Sequence, residues 1–200
     1  MTHSEAAAIL RQAWKQVHGR DPSASELLFA QAIALLETGY GRSGQFGALA
    51  AQGKYNWGAL ERRRVGGACP PGTEPGSDQG AVCFLVFDSD ELAAAAFLRN
   101  LTTRHWPVLR AMRGSATDVA RAMRVSPAYY TGTAFSEDGK VREYATAIEN
   151  AARAIGSPLA IGGGGFPWLL AAGAVGLGYA GYRFGWWDEA LRSARKIVRT

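Results

Sequence analysis

One carboxyl group stands where an acid catalyst would be useful. Glu37 closes the run ELLFAQAIALLET, which is apolar on nearly every side. Read as a helix, such a run is central and buried, and its last turn carries the negative end of the helix dipole. Both surroundings favour the neutral acid over the carboxylate. A carboxylic acid kept protonated near neutral pH can give its proton to a departing sugar oxygen, the step that cleavage of a glycosidic bond requires. Gly39 and Gly41 follow directly. They let the chain turn away and leave room for a polymer strand. A helix-terminal glutamate facing solvent is the plain alternative for Glu37 taken alone.

The elements that must position this group are legible from hydrophobic spacing. Ala7, Leu10, Trp14 and Val17 fall on one side of a helix over 4–18. Ser23 with Glu26 forms a capping-box pattern that opens a second helix, which stops at Gly39. Over 39–88 glycine and proline become frequent. Apolar runs at Tyr55–Leu60 and Ala81–Phe87 predict an irregular lobe there, with a hairpin or a few short strands. Asp88 and Glu91 give a second capping pattern before DSDELAAAAFLRNLTTR, and further helical pieces are expected near 105–112, 116–124 and 138–155. The predicted fold class is mainly α: a helical bundle with a small irregular or β lobe.

The motifs carry a resemblance. Glu-Thr-Gly-Tyr-Gly at 37–41, followed by Tyr55-Asn56-Trp57-Gly58-Ala59-Leu60, is similar to the lysozyme-like superfamily. It resembles in particular the glucosaminidase branch that includes bacterial autolysins and the flagellar peptidoglycan hydrolase. CFLVFDSDELAAAAFLRNL (83–101) and AMRGSATDVARAMRVSPAYYTG (111–132) follow in that family's order, so the resemblance covers roughly 24–152. It implies an α+β lysozyme-like domain that cleaves β-1,4 bonds between N-acetylated sugars of peptidoglycan. Glu37 matches the general acid. Asn56 and Trp57 match the groove segment, the amide bonding an N-acetyl group and the indole packing on a sugar face. Tyr130 matches the tyrosine near the cleaved bond, with Tyr129 beside it as the other candidate, and Tyr40 is placed among the substrate-binding residues.

The family's Tyr-Ala-Thr-Asp-Pro-x-Tyr pattern is replaced here by SPAYYTG, so the choice between the two tyrosines stays open. The second carboxylate has no clear counterpart: Glu74, Asp78 and Glu61 are the candidates. The substrate's own acetamido group, or a water held by Tyr130, are the alternatives. Hydrolysis and lytic transglycosylation, which leaves an anhydro ring, are not separated by these residues.

Other chemistries find less support. His3, His18 and His105 are scattered without metal-ligand spacing and read as surface or packing residues. Gly162–Gly165 lacks the Lys-Ser/Thr of a phosphate loop. No metal or cofactor is expected, and no nucleic-acid partner. Lys and Arg total 22 against 17 Asp and Glu, a net charge of +5 that suits an anionic partner. Arg62-Arg63-Arg64 could meet acidic stem peptides, although a solvated cluster explains it as well. Cys69 and Cys83 bracket GGACPPGTEPGSDQGAVC. A disulfide across this loop would contribute about 3 kcal/mol in an oxidising compartment; two separate buried thiols are the alternative.

The end of the chain is of different material. The predicted organisation is a catalytic domain over 1–156, a Gly-rich hinge at 157–165, a transmembrane helix at 166–187 and a basic cytoplasmic tail at 188–200. The segment FPWLLAAGAVGLGYAGYRFGWW has one charge, Arg183. As a helix it spans about 33 Å, enough for a hydrocarbon core of about 30 Å. Trp168, Trp186 and Trp187 stand as interfacial anchors. Ala172, Gly176 and Ala180 form a small-residue face for self-association. Arg192, Arg195, Lys196 and Arg199 would stay cytoplasmic, leaving the catalytic domain on the extracytoplasmic side of a single-pass membrane protein. A buried helix of a soluble fold is the competing explanation. The N-terminus lacks the basic start and apolar run of a secretory signal, which leaves a virion-associated setting open beside a bacterial one. Two rival functions are a catalytically inactive glycan-binding module and a phage lysis or ejection protein acting partly through its tail.

Overall fold

The computed structural model describes residues 1–63, 68–76, 82–104, 106–124 and 138–156. The chain divides into two units, Met1–Ile161 and Gly162–Thr200. The described residues all belong to the first. They are mostly helical with one small sheet.

Helix α1 (His3–His18) begins with a reciprocal cap, in which the Thr2 hydroxyl accepts from the Glu5 N–H and the Glu5 carboxylate accepts from the Thr2 N–H. It ends at Gly19 in the left-handed conformation. Helix α2 (Ala24–Thr38) opens on the expected Ser23–Glu26 capping box and stops at left-handed Gly39. Its side chains from Phe29 to Ala34 are buried on every side, because α2 packs against both α1 and α7 (Asp138–Ala154). A helix that is apolar all round needs such a central place.

Glu26 is itself buried, and the arginine beside it explains how. Both guanidinium nitrogens of Arg20 donate to its two oxygens, at 2.7 and 2.8 Å, while the Ser23 N–H donates as well. Hydrogen bonding to Arg20 foremost pulls the Glu26 carboxyl down to about 2.

The lobe after α2 contains a short helix that the glycine-rich sequence concealed, α3 (Gly44–Ala50). Three short strands follow, β1 (Glu61–Arg63), β2 (Thr73–Pro75) and β3 (Val82–Leu85), in the antiparallel order β1-β3-β2. The apolar run at Tyr55–Leu60 forms no strand. It contributes one bridge, Tyr55 to Phe87, and then a tight turn. Phe46 of α3 meets Phe84 of β3 edge to face at 5.0 Å, with Ala59 completing a small core beneath the sheet. Cys69 and Cys83 are joined in a disulfide, the latter buried on the central strand.

Helix α4 (Asp90–Leu98) takes its cap from Ser89, whose hydroxyl accepts from the Leu92 N–H. The expected Asp88 cap is therefore displaced by one residue. The predicted single helix over DSDELAAAAFLRNLTTR instead widens into a π-helical turn at Arg99–Arg104. Thr102 marks that turn: its hydroxyl donates to the Leu98 carbonyl at 2.7 Å and lies 2.7 Å from His18 Nε2. With the hydroxyl proton committed to Leu98, the His18 Nε2–H is the donor. His18 is a packing residue that staples α1 to the π turn, and burial lowers its pKa. Helices α5 (Trp106–Ala111), α6 (Ala116–Arg124) and α7 complete the bundle.

The disulfide, the lobe and the helical bundle agree with the sequence reading. The 157–165 and 166–187 segments, with Ala172, Gly176 and Ala180, lie outside the described residues. Among the described residues no helix is long and apolar enough to cross a membrane.

Candidate functional site

Glu37 occupies the last turn of α2 and is half-buried. Its Oε1 accepts a 2.8 Å hydrogen bond from the hydroxyl of Tyr144 on α7. Tyr144 is almost wholly enclosed, at 2% exposure, so the donor is held in place by packing before any ligand arrives.

The chain that leaves Glu37 is under strain. Gly39, Tyr40 and Gly41 all have positive φ, at 57°, 59° and 71°. Left-handed backbone is unremarkable for the glycines but costs a tyrosine on the order of 1 kcal/mol. The Tyr40 side chain supplies the compensation. Its ring is buried against Trp57, centroids 5.7 Å apart, and its hydroxyl lies 2.9 Å from His3 Nδ1. Burial pushes the Tyr40 phenol up to about 12. A side chain at Gly41 would bring Cβ within 3.1 Å of the Asn56 carbonyl in a left-handed backbone, so a larger residue there is strained.

Thr38 ties this turn to the lobe. Its buried hydroxyl accepts from the Gly41 N–H at 2.8 Å and donates to the Trp57 carbonyl at 2.9 Å. Asn56 then fixes the segment beyond. Its amide nitrogen donates to the carbonyls of Leu60 and Leu85, at 3.0 and 2.9 Å, and its oxygen accepts from the N–H groups of Gly58 and Leu60. The Trp57 indole N–H donates to Asp90 Oδ1 at 2.7 Å, and Arg42 pairs with Asp90 Oδ2 at 2.6 Å while lying over the Tyr55 ring. Gly58 faces Phe97, whose Cδ2 would sit 2.4 Å from an added Cβ.

These contacts correct three substrate-binding assignments. Asn56 and Trp57 are brought to the Glu37 turn, as expected, but they face inward. The Asn56 amide has both N–H donors committed and its oxygen doubly used, leaving nothing to offer an N-acetyl group. Trp57 is fully enclosed and cannot pack on a sugar face. Tyr40 is likewise a packing residue. All three build the turn that presents Glu37.

Tyr129 and Tyr130 lie outside the described residues, as do Asp78 and His105. Of the other carboxylates considered, Glu74 on β2 is ion-paired with Lys54, and Glu61 opens β1 on an exposed position. The residues that sequence reasoning missed are Tyr144, Thr38, Asp90 and Arg42. Tyr144 sits in the apolar stripe Val141, Tyr144, Ala145, Ile148 of α7. Its signal was the polar tip: a buried tyrosine hydroxyl needs a partner.

Among the described residues no three His, Cys, Asp or Glu side chains gather as a metal site. What the arrangement can do chemically is hold one carboxyl group in a fixed orientation at the junction of bundle and lobe. No protein-family model matches the chain, and neither curated proteins nor solved structures give a match.

Proposed function

We propose that this chain is a glycoside hydrolase acting on β-1,4 bonds between the N-acetylated sugars of peptidoglycan, with Glu37 as the general acid. The observation that carries the reading is the Glu37–Tyr144 hydrogen bond at the end of the central helix, directly before a strained turn bolted to a small β lobe. The Tyr144 hydroxyl orients the carboxyl group, and in this proposal that group is the proton donor. It gives its proton to the leaving glycosidic oxygen as the bond to the anomeric carbon breaks. In this proposal the opposite face of the sugar is attacked by the substrate's own acetamido oxygen, or by a water held by Tyr130, with Glu61, Glu74 and Asp78 the carboxylates that would serve in their place. Tyr130 belongs beside the cleaved bond in this proposal, and Tyr129 on the strand.

The tail completes the proposal. The 166–187 segment tethers the domain to a bilayer, with the hydrolase on the extracytoplasmic side, and Ala172, Gly176 and Ala180 offer a face for pairing. Mass spectrometry of digested peptidoglycan is the test. The unmodified chain should release fragments of defined reducing-end chemistry, and Glu37→Gln should release none while keeping its circular dichroism. Undiminished release by Glu37→Gln would remove the acid. No release by either, with retained binding, would select a non-cleaving glycan module.

A further inference from the structure

Another exposed feature lies on α5, which packs against the π turn and α6. From Leu92 to Thr117 the chain holds Arg99, Arg104, Arg110 and Arg113 and not a single Asp or Glu. Trp106 opens α5 at 62% exposure and is the only exposed aromatic side chain among the described residues. Arg110 follows one helical turn later on the same side of α5. Arg99 and Arg113 are exposed as well. Among the described residues none of Arg99, Arg110 and Arg113 has a carboxylate partner, in contrast to Arg20 and Arg42. The first acid beyond them, Asp118, is already engaged by Ser115 and Arg121.

An indole left in water forgoes the free energy of burial, and the guanidinium of Arg110 one turn on, with exposed Arg99 and Arg113 close by in the chain, favours an anionic occupant. We infer that Trp106, with Arg110 and its neighbours, is a docking surface for the wall polymer, separate from the cleaving site. The indole stacks on the flat face of a sugar ring, and the arginines meet the carboxylates of the stem peptides. Among the described residues one exposed ring stands there, which suits one sugar face better than a run of nucleic-acid bases that needs successive stacking platforms. The surface would keep the enzyme on an insoluble substrate between cuts. This inference rests on the peptidoglycan reading for its partner, not on Glu37 for its chemistry.

The test uses the full-length chain carrying Glu37→Gln, so that the wall stays intact, sedimented with purified sacculi in mild detergent. Adding Trp106→Ala should lower the bound fraction about fivefold, and Trp106→Phe should restore most of it. The double change Arg110→Glu with Arg113→Glu should weaken binding and flatten its salt dependence. Amidating the sacculus carboxylates should have the same effect on the parent. Trp106→Ala sedimenting like the parent would overturn the inference. So would a Trp106→Ala defect on single-stranded DNA or anionic vesicles in place of sacculi. Fragment release by the chain with Glu37 intact is read separately. If it is absent while the binding differences stand, the hydrolase reading falls and the docking surface remains.

Discussion

The Tyr144 hydroxyl and the Glu37 carboxyl, far apart in the chain, meet at 2.8 Å where α7 crosses the last turn of α2. The donor is buried and the acceptor half-buried, so the pair orients the carboxyl group without help from a ligand. Preorganisation of this kind is what a proton-transfer step gains from its surroundings.

Tyr144→Phe should therefore separate orientation from binding. Losing one hydrogen bond at an otherwise preserved ring should cost about 1 kcal/mol of stability. Glycan cleavage should fall about tenfold in kcat, with KM nearly unchanged. Steady-state kinetics beside a thermal melt checks both. A rise in KM with kcat intact would assign Tyr144 to substrate contact.

Asn56 should behave as an internal brace. Asn56→Ala takes one hydrogen-bond partner from each of two backbone carbonyls and two N–H groups in the lobe, although the Leu60 carbonyl keeps the Leu85 N–H, and should destabilise the fold by about 2 kcal/mol. Denaturant unfolding measures it. Affinity of the folded fraction for glycan should hardly move. A selective loss of affinity at unchanged stability would return the amide to the groove.

The Arg20–Glu26 pair should make stability depend on pH in a known direction. Glu26 has its folded value depressed to about 2 from an ordinary 4.5. The carboxylate's contribution is thus complete above about pH 4.5 and disappears as pH falls through about 2. Arg20 is nearly half exposed, so the contribution is about 2 kcal/mol, less than the full shift would imply. Urea unfolding of the parent and Glu26→Gln should differ by that amount at neutral pH and converge in strong acid. Convergence at high pH instead would reverse the assignment.

Much of this architecture was legible because it follows from local rules. The Ser23–Glu26 box and Gly39 bound α2 by capping chemistry alone, and the apolar periodicity located α6 and α7. The lobe was legible as a lobe but not in detail. The short α3 lies among glycines, and Tyr55–Leu60 looks like a strand because its apolar residues serve a buried turn. At the π turn of Arg99–Arg104, Thr102 meets His18 across elements, a contact that no local pattern encodes. The site shows the same division. Glu37 was singled out by its helix and the motif, whereas the Tyr144 that bonds it was hidden in an ordinary core stripe. Asn56 and Trp57 were found by spacing, but spacing does not tell which way a side chain points. Inward wiring by Leu60, Leu85 and Asp90 decided that.

A single hydroxyl, that of Thr38, serves both the bend that ends α2 and the backbone of the segment entering the lobe. The last turn of α2 and the root of the β lobe are consequently joined through one side chain. Under the proposed function, a glycan strand passing Glu37 would meet a stiff floor rather than a hinge. Any widening for bulky stem peptides would then come from the outer rim, where β2 hangs on β3 by three residue pairs.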